Sequence, residues 1–433
     1  MISRIVFLII LSAGIYFFTI RIREIIRNIR LGKDLNRSDN PGKRWSVMSL
    51  VALGQSKMLN RPVAAIFHIF IYVGFVIINI EVLEIIIDGV FGTHRILSFM
   101  GGFYDFLIGS FEILAVLVLS ACVVFLARRN IIKIKRFWSK EMTSWPRTDA
   151  NIILIIEIFL MTAFLTMNAT DYLLQQRSVE HYINAGSFPI SSIIAPIFAG
   201  FSSEGLINLE RSCWWFHIIG ILAFLNYVPY SKHFHILLAF PNTWYSNLEK
   251  KGRFNNMSNV TREVKLMLDP SAAATEDNSA VQGFGAKDVR DLNWKQLMDA
   301  YSCTECGRCT SVCPANITGK ALSPRKIMMD TRDRLEETGK NIKKNGIDFQ
   351  DGKALLGDYI TQEELWACTT CNACVEACPV NIDPLSIILD MRRYLVMEQS
   401  TAPAEWNGMF SKIENNGAPW QFSPADRLNW KDE

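Results

Sequence analysis

Eight cysteines between residues 303 and 378 have the types and spacing to do chemistry. Cys303, Cys306, Cys309 and Cys313 follow the pattern C-x2-C-x2-C-x3-C with Pro314 next, and Cys368, Cys371, Cys374 and Cys378 repeat it with Pro379 next. Three thiolates on one tight loop cap three corners of an iron–sulfur cube, and a more distant thiolate closes the fourth. Zinc sites do not usually combine such a triplet with a trailing Cys-Pro, and a reducing compartment disfavours disulfides. Two [4Fe–4S] clusters are therefore expected. The remaining cysteines, Cys122 and Cys213, sit in apolar stretches and read as packing residues.

In two-cluster ferredoxins the fourth cysteine of each run serves the other cluster. On that pattern Cys303, Cys306, Cys309 and Cys378 hold one centre, and Cys368, Cys371, Cys374 and Cys313 the second. An internal repeat surrounds the motifs: both runs continue C-P-x-N-I and then I-x-x-D-x-R-x-x-L. Residues 287–301, 323–338 and 383–399 predict amphipathic helices beside the cluster loops. With 54 residues between Cys313 and Cys368, more than a compact βαβ ferredoxin needs, this resembles the all-helical ferredoxins of succinate dehydrogenase and heterodisulfide reductase.

The elements that must position these loops begin with a membrane half. Apolar residues, half of the 433, concentrate before residue 240. Stretches of about 20 apolar residues, enough to cross a bilayer, occur near 3–20, 62–87, 104–127, 151–174 and 213–240. The first lacks a cleavage site and reads as a retained span rather than a signal peptide. Residues 186–200, broken by two prolines, read as an interfacial or re-entrant piece. Ten Lys and Arg lie between 21 and 61 and seven between 128 and 147. The positive-inside rule then places the N-terminus outside and everything after residue 240 in the cytoplasm. A net charge of +3 gives no reason to expect nucleic acid.

Histidines in such spans are candidates for function. His68 falls at the cytoplasmic start of the second span, His235 at the inner end of the fifth and His217 near its outer end. Eighteen residues make five helical turns, so His217 and His235 share a face, about 27 Å apart if Pro229 bends the helix little. His233 points away, toward headgroups with Lys232. His68 and His235, on different helices at one level, satisfy bis-imidazole haem ligation. The alternative is that His235 is merely interfacial and His68 bonds a nearby backbone.

"FHIFIYVGF" and "WFHIIG…PYSKHFHI" resemble the five-helix cytochrome b subunit of respiratory nitrate reductase and the membrane subunits of heterodisulfide-reductase-type complexes. The resemblance implies an inner haem b on His68 and His235. His217 matches the fifth-helix ligand of an outer haem, but Ile78 stands where its mate would be, and His94 and His181 fall in outer loops. One haem is therefore expected, with His217 and Glu84 left to meet a quinone headgroup, menaquinone or ubiquinone. Glu112 and Glu157 join as candidates for a proton or ion path. Residues 414–430 resemble the segment that, in fused relatives, leads to a cysteine-rich domain with CCG motifs. No CCG occurs here, so a separate cysteine-rich or flavoprotein subunit is expected to dock near Trp420 and Trp430.

The fold class expected is all-α: a five-transmembrane-helix bundle (1–245), a linker (246–286, with 270–286 the least apolar part), a cytoplasmic dicluster ferredoxin domain (287–400) and a docking tail (401–433). No phosphate loop, catalytic triad or dinucleotide fingerprint is present; GFGAKD (283–288) is not G-x-G-x-x-G. The expected role is a multi-pass electron-transfer subunit of a quinone-linked oxidoreductase in the cytoplasmic membrane, similar to complexes that carry electrons from electron-transfer flavoprotein to menaquinone. The alternatives are a membrane-anchored iron–sulfur sensor or assembly platform, and a ferredoxin-coupled ion pump.

Overall fold

A computed structural model describes residues 1–254, 256–269, 283–420 and 423–432. Most of the expected linker's 270–286 stretch, and part of the tail motif, lie outside these residues. The first half runs through α1 (Ile2–Ile29), a short α2 (Pro41–Met48), α3 (Pro62–Phe91), α4 (Gly102–Asn130), α5 (Ser144–Gln176), the single turn α6 (Ser191–Ile194), α7 (Ser203–Tyr227) and α8 (His235–Trp244). Five of these helices are long and apolar enough to cross a membrane. Local chemistry sets their ends. Pro62 starts α3, where a missing N–H costs nothing, and Gly92 ends it at φ +71°. α5 lies centrally, packed on α4 and α7, around Phe111, Phe164, Trp214 and Ile218.

The fifth span differs from the continuous 213–240 helix expected. It begins ten residues earlier, where the Ser202 side chain accepts from Gly205 N–H, and it stops at Tyr227. Two tight 3-10 turns follow, over Val228–Tyr230 and Lys232–Phe234, before α8 opens at His235. Pro229 brings no N–H and crowds the preceding carbonyls, while Ser231 caps His233 N–H. His217 and His235 therefore do not share a helix, and the 27 Å five-turn estimate falls with the premise of a nearly straight helix.

The second half comprises α9 (Ser258–Leu268), α10 (Trp294–Ser302), α11 (Arg308–Ser311), α12 (Pro314–Ile317), α13 (Pro324–Asn345), α14 (Gln362–Trp366), α15 (Ala373–Ala377), α16 (Pro384–Met397) and α17 (Ala404–Asn416). Among the described residues only isolated β-bridges occur and no strand forms. The repeat is visible in the caps: Ser323 and Asp383 each accept from the backbone three residues on, and Pro324 and Pro384 each open the helix that follows. Residues 287–293 are not α-helical; the helix expected over 287–301 starts at Trp294, where Asn293 and Gln296 form a capping box.

The halves share one apolar core. Ile25, Ile153, Phe224 and Val228 from the first cluster with Leu297, Ile327, Leu335 and Ile387 from the second. Beyond its apolar stretch α1 continues as a strut: Arg21 pairs with Glu336 at 2.7 Å, and Asn28 donates to Tyr301 Oη at 3.0 Å. Two backbone hydrogen bonds join Lys33 to Leu292 and Trp294. A Cβ at Gly32 would lie 2.6 Å from Trp294 N, and one at Gly339 2.3 Å from Asn28 Oδ1, so both contacts need glycine.

Candidate functional site: cysteine loops, an imidazole cluster and a buried arginine network

The cysteine loops have matching backbones. Glu305 and Gly307 in the first, Thr370 and Asn372 in the second, all adopt positive φ between 54° and 70°. Three of the four are not glycine, a costly conformation that persists where surroundings require it. Such turns aim amides inward, as in anion-binding nests: Thr370 N–H donates to Cys368 Sγ at 3.4 Å and Ile382 N–H to Cys378 Sγ at 3.3 Å.

The chain brings the cysteines together crosswise. Cys309 lies in the field of Cys306, Cys303 and Cys378, with Cys374 beyond. A small cavity is lined by Cys313, Cys368, Cys371 and Cys374 together with Leu322, Leu385 and Ile388. Burial pushes the Cys303 and Cys378 thiols up to about 12; a bound iron centre reverses that preference by holding the ligand deprotonated. Among the described residues no three His, Cys, Asp or Glu side chains converge on a single metal ion. The donor set, four thiols in one small cavity and amides aimed at sulfur, fits an iron–sulfur centre.

The first cysteine loop rests on the segment leading into α3. Arg308 donates to Lys57 O at 3.0 Å, and Arg61 to Ser311 Oγ at 2.7 Å. Lys232, expected among headgroups, instead reaches Glu305, between Cys303 and Cys306, at 2.5 Å. Glu305 also pairs with Arg332 at 2.9 Å. Burial alone would raise the Glu305 pKa, but the two cations hold it below the usual carboxylate range. Arg325, fully buried, binds Glu141 at 2.7 Å and Arg136 O at 2.7 Å. Both basic loops thus contact the cysteine-bearing half.

Directly beside this contact, the His68 and His235 rings lie 6.5 Å apart, centre to centre. Two imidazoles facing one metal atom across bonds of about 2.0 Å would stand roughly 6.3 Å apart. His235 Nδ1 is 3.1 Å from Lys232 O, which leaves Nε2 free to ligate a metal. His68 Nδ1 is buried without a partner. The ring spacing fits bis-imidazole ligation. His233 is not turned toward headgroups: its ring packs 5.3 Å from His235 and 5.6 Å from Phe224. His217 lies fourteen residues into α7, in mid-span rather than near the outer end, because the helix starts at Ser203. Its Nδ1 faces Leu160 O at 3.1 Å.

At the opposite end of the bundle the sequence had not pointed to a site around Arg95. Its guanidinium donates to Asp171 at 2.6 Å, to Tyr104 Oη at 3.1 Å and to Asn168 Oδ1 at 3.1 Å. Asp88 accepts from Arg95 N–H at 2.8 Å. Glu84 is occupied on both oxygens, by Leu97 N–H at 2.9 Å and Tyr104 Oη–H at 2.9 Å. Glu112 accepts from Ile190 and Ser191 N–H at 2.9 and 3.1 Å, anchoring the proline-broken 186–200 segment. Glu157 makes no hydrogen bond among the described residues. The signal available in the sequence was the Glu81, Glu84, Asp88 spacing, which puts three acids on one face of a span. Trp420 and Trp430, expected to meet a partner, are exposed.

Comparison with known proteins agrees with the cysteine chemistry. Residues 302–382 match the model of a 4Fe–4S dicluster domain, and residues 265–318 match a second model of the same description. The chain is 29% identical, over its whole length, to the "Probable iron-sulfur-binding oxidoreductase FadF" of Bacillus subtilis, and spans 61% of that protein. It is 27% identical over 92% of its length to the "EtfAB:quinone oxidoreductase" of Syntrophomonas wolfei, spanning 55% of it. It is 34% identical, over 24% of its length and 52% of the relative's, to one component of the ferredoxin/F420H2-dependent CoB-CoM heterodisulfide reductase of Methanosarcina acetivorans. No solved structure matches. The chain carries a C-terminal 4Fe–4S dicluster domain behind five apolar helices, and its relatives are iron–sulfur oxidoreductases and heterodisulfide reductase subunits.

Proposed function

We propose that this protein is the membrane electron-transfer subunit of a quinone-linked oxidoreductase, working between a soluble redox partner and the membrane quinone pool. The observation that carries the reading is the run Lys232–His235. At one end it binds Glu305 inside the first cysteine loop, and at the other it faces His68. Cys303, Cys306, Cys309 and Cys378 would hold the cluster nearer the membrane bundle, and Cys368, Cys371, Cys374 and Cys313 the outlying one. His68 and His235 would hold one haem b. Such groups supply one-electron carriers. The protein's own contribution is to fix their separation through the shared core and to exclude water between them.

The basic loops that contact the ferredoxin half support a cytoplasmic location for it by the positive-inside rule. The relative named as an EtfAB:quinone oxidoreductase supports a flavoprotein partner; a cysteine-rich subunit is the other candidate. His217, whose Nε2 makes no hydrogen bond among the described residues, is a candidate contact for the quinone. The test is a reduced-minus-oxidised optical spectrum of the purified protein, followed by addition of a quinol. A haem b band and reduction by quinol are expected. Clusters with neither response would overturn the reading in favour of an iron–sulfur anchor or sensor.

A further inference from the structure

Of the acids on the inward face of α3, Glu81 alone has no hydrogen-bond donor among the described residues. It is 4% exposed, and its Oε2 is buried without a partner. Around it stand Glu84 and Asp88 from its own helix, Tyr104 and Glu112 from α4, Asp171 from α5 and Arg95 from the following loop; α1 brings Arg4 beside Gly92 at the same end. Each of the other four carboxylates is engaged by at least two donors or cations. Five buried acids thus crowd this end of the bundle, of which Asp171 pairs directly with the Arg95 guanidinium, and a buried carboxylate left without a partner is costly.

A second buried atom without a hydrogen bond lies where this network meets the surface. His94 Nε2 is buried with no hydrogen bond, 3.7 Å from Asp171 Oδ2, and the His94 ring packs 5.3 Å from the exposed His181. Glu81 thus lies at the inner side of this hydrogen-bonded network and His94, beside Asp171, at its outer side. Glu81 is thirteen residues beyond His68 on α3, about 20 Å along the axis, on the side away from the ferredoxin half.

We propose that Glu81 is the proton-exchanging group for a quinone bound in the membrane bundle, and that Asp171 and His94 connect it to the surface opposite the ferredoxin domain. The proposal rests on the quinone reading above and replaces Glu84, whose oxygens are both committed. Converting one quinone to quinol takes two electrons and two protons. The electrons are exchanged with the iron–sulfur half. Glu81 gives a proton to a quinone oxygen, is refilled through the Asp171–His94 side and gives the second; oxidation of the quinol runs the same transfers backwards.

The experiment uses the full chain with its co-purifying partners and menadiol as probe, reading cluster reduction by electron paramagnetic resonance. Glu81→Gln is expected to slow menadiol-driven reduction about a hundredfold and to flatten its pH dependence, while dithionite still develops the full cluster signal. An infrared carboxyl band that changes on menadiol addition should vanish in the same variant. Glu81→Asp should restore most of the rate. Glu81→Met, which removes the buried acid without leaving an unpaired polar atom, guards against misfolding and should be as slow as Glu81→Gln. Wild-type rates in a folded Glu81→Gln or Glu81→Met protein would overturn this assignment alone. A wild-type protein inert to menadiol would overturn the quinone reading, and this proposal with it.

Discussion

The two ends of the membrane bundle treat buried polar groups in opposite ways. At the end that meets the ferredoxin half, soft donors and imidazoles gather while His68 Nδ1 has no partner within the described residues. At the far end, Arg95 is bonded through its guanidinium and its backbone to four side chains, and most acids around it are satisfied. Buried polar atoms are normally paired. A dense, satisfied network therefore reads as architecture, and an orphaned buried nitrogen reads as a place where something could bind. Glu81 Oε2 and His94 Nε2, the atoms proposed for proton exchange, are the buried ones at the far end without a hydrogen bond among the described residues.

The contrast is broken most severely at the cysteines. Cys378→Ser is expected to remove the centre shared with Cys303, Cys306 and Cys309, and Cys313→Ser the other. Each should lower iron content by about half, with a different paramagnetic signal lost in each. A variant losing both centres, or the two variants losing the same one, would contradict the crosswise assignment. Next come the histidines: His68→Ala or His235→Ala should abolish a haem b band that His217→Ala spares. Loss in His217→Ala but not in His235→Ala would move the haem to mid-span.

The Arg95 network at the far end should respond in stability rather than in the haem or cluster signals. Arg95→Met strips Asp171 of its 2.6 Å partner, and breaking a buried pair on one side costs about 3–5 kcal/mol. Thermal unfolding in detergent should show that loss while the metal content of the folded fraction is unchanged. The smallest effect is expected in the ferredoxin half, where Arg334 grips Asp351 through two hydrogen bonds of 2.6 and 3.0 Å. That contact holds the Asp351 pKa down to about 2. A depressed carboxylate adds stability above its unfolded value near 3.9 and loses it as pH falls through about 2. Asp351→Asn should cost about 1 kcal/mol at pH 7, allowing for solvent screening, and the difference should shrink on acidification below about pH 4.

Much of this was legible from one dimension because the relevant chemistry is local. The C-x2-C-x2-C-x3-C-P runs sit on loops whose spacing sets their geometry, and apolar runs long enough to span a bilayer have few other folds open to them. The fifth span shows where local reading stops. Hydropathy continued past Pro229, but a proline supported by Ser231 and by packing against the ferredoxin half ends the helix there. His217 accordingly moved to mid-span and His233 joined the imidazole cluster.

The sequence by itself determined the donor types, the spacing within each cysteine run and the number of candidate spans, since each follows from the pattern along a single segment. Only the tertiary structure decided that Lys232 turns to Glu305, that one core runs through both halves, and that a loop arginine ties together acids from two helices. Those contacts join residues 73 to 315 positions apart, and no local pattern specifies which distant partner a buried charge will find.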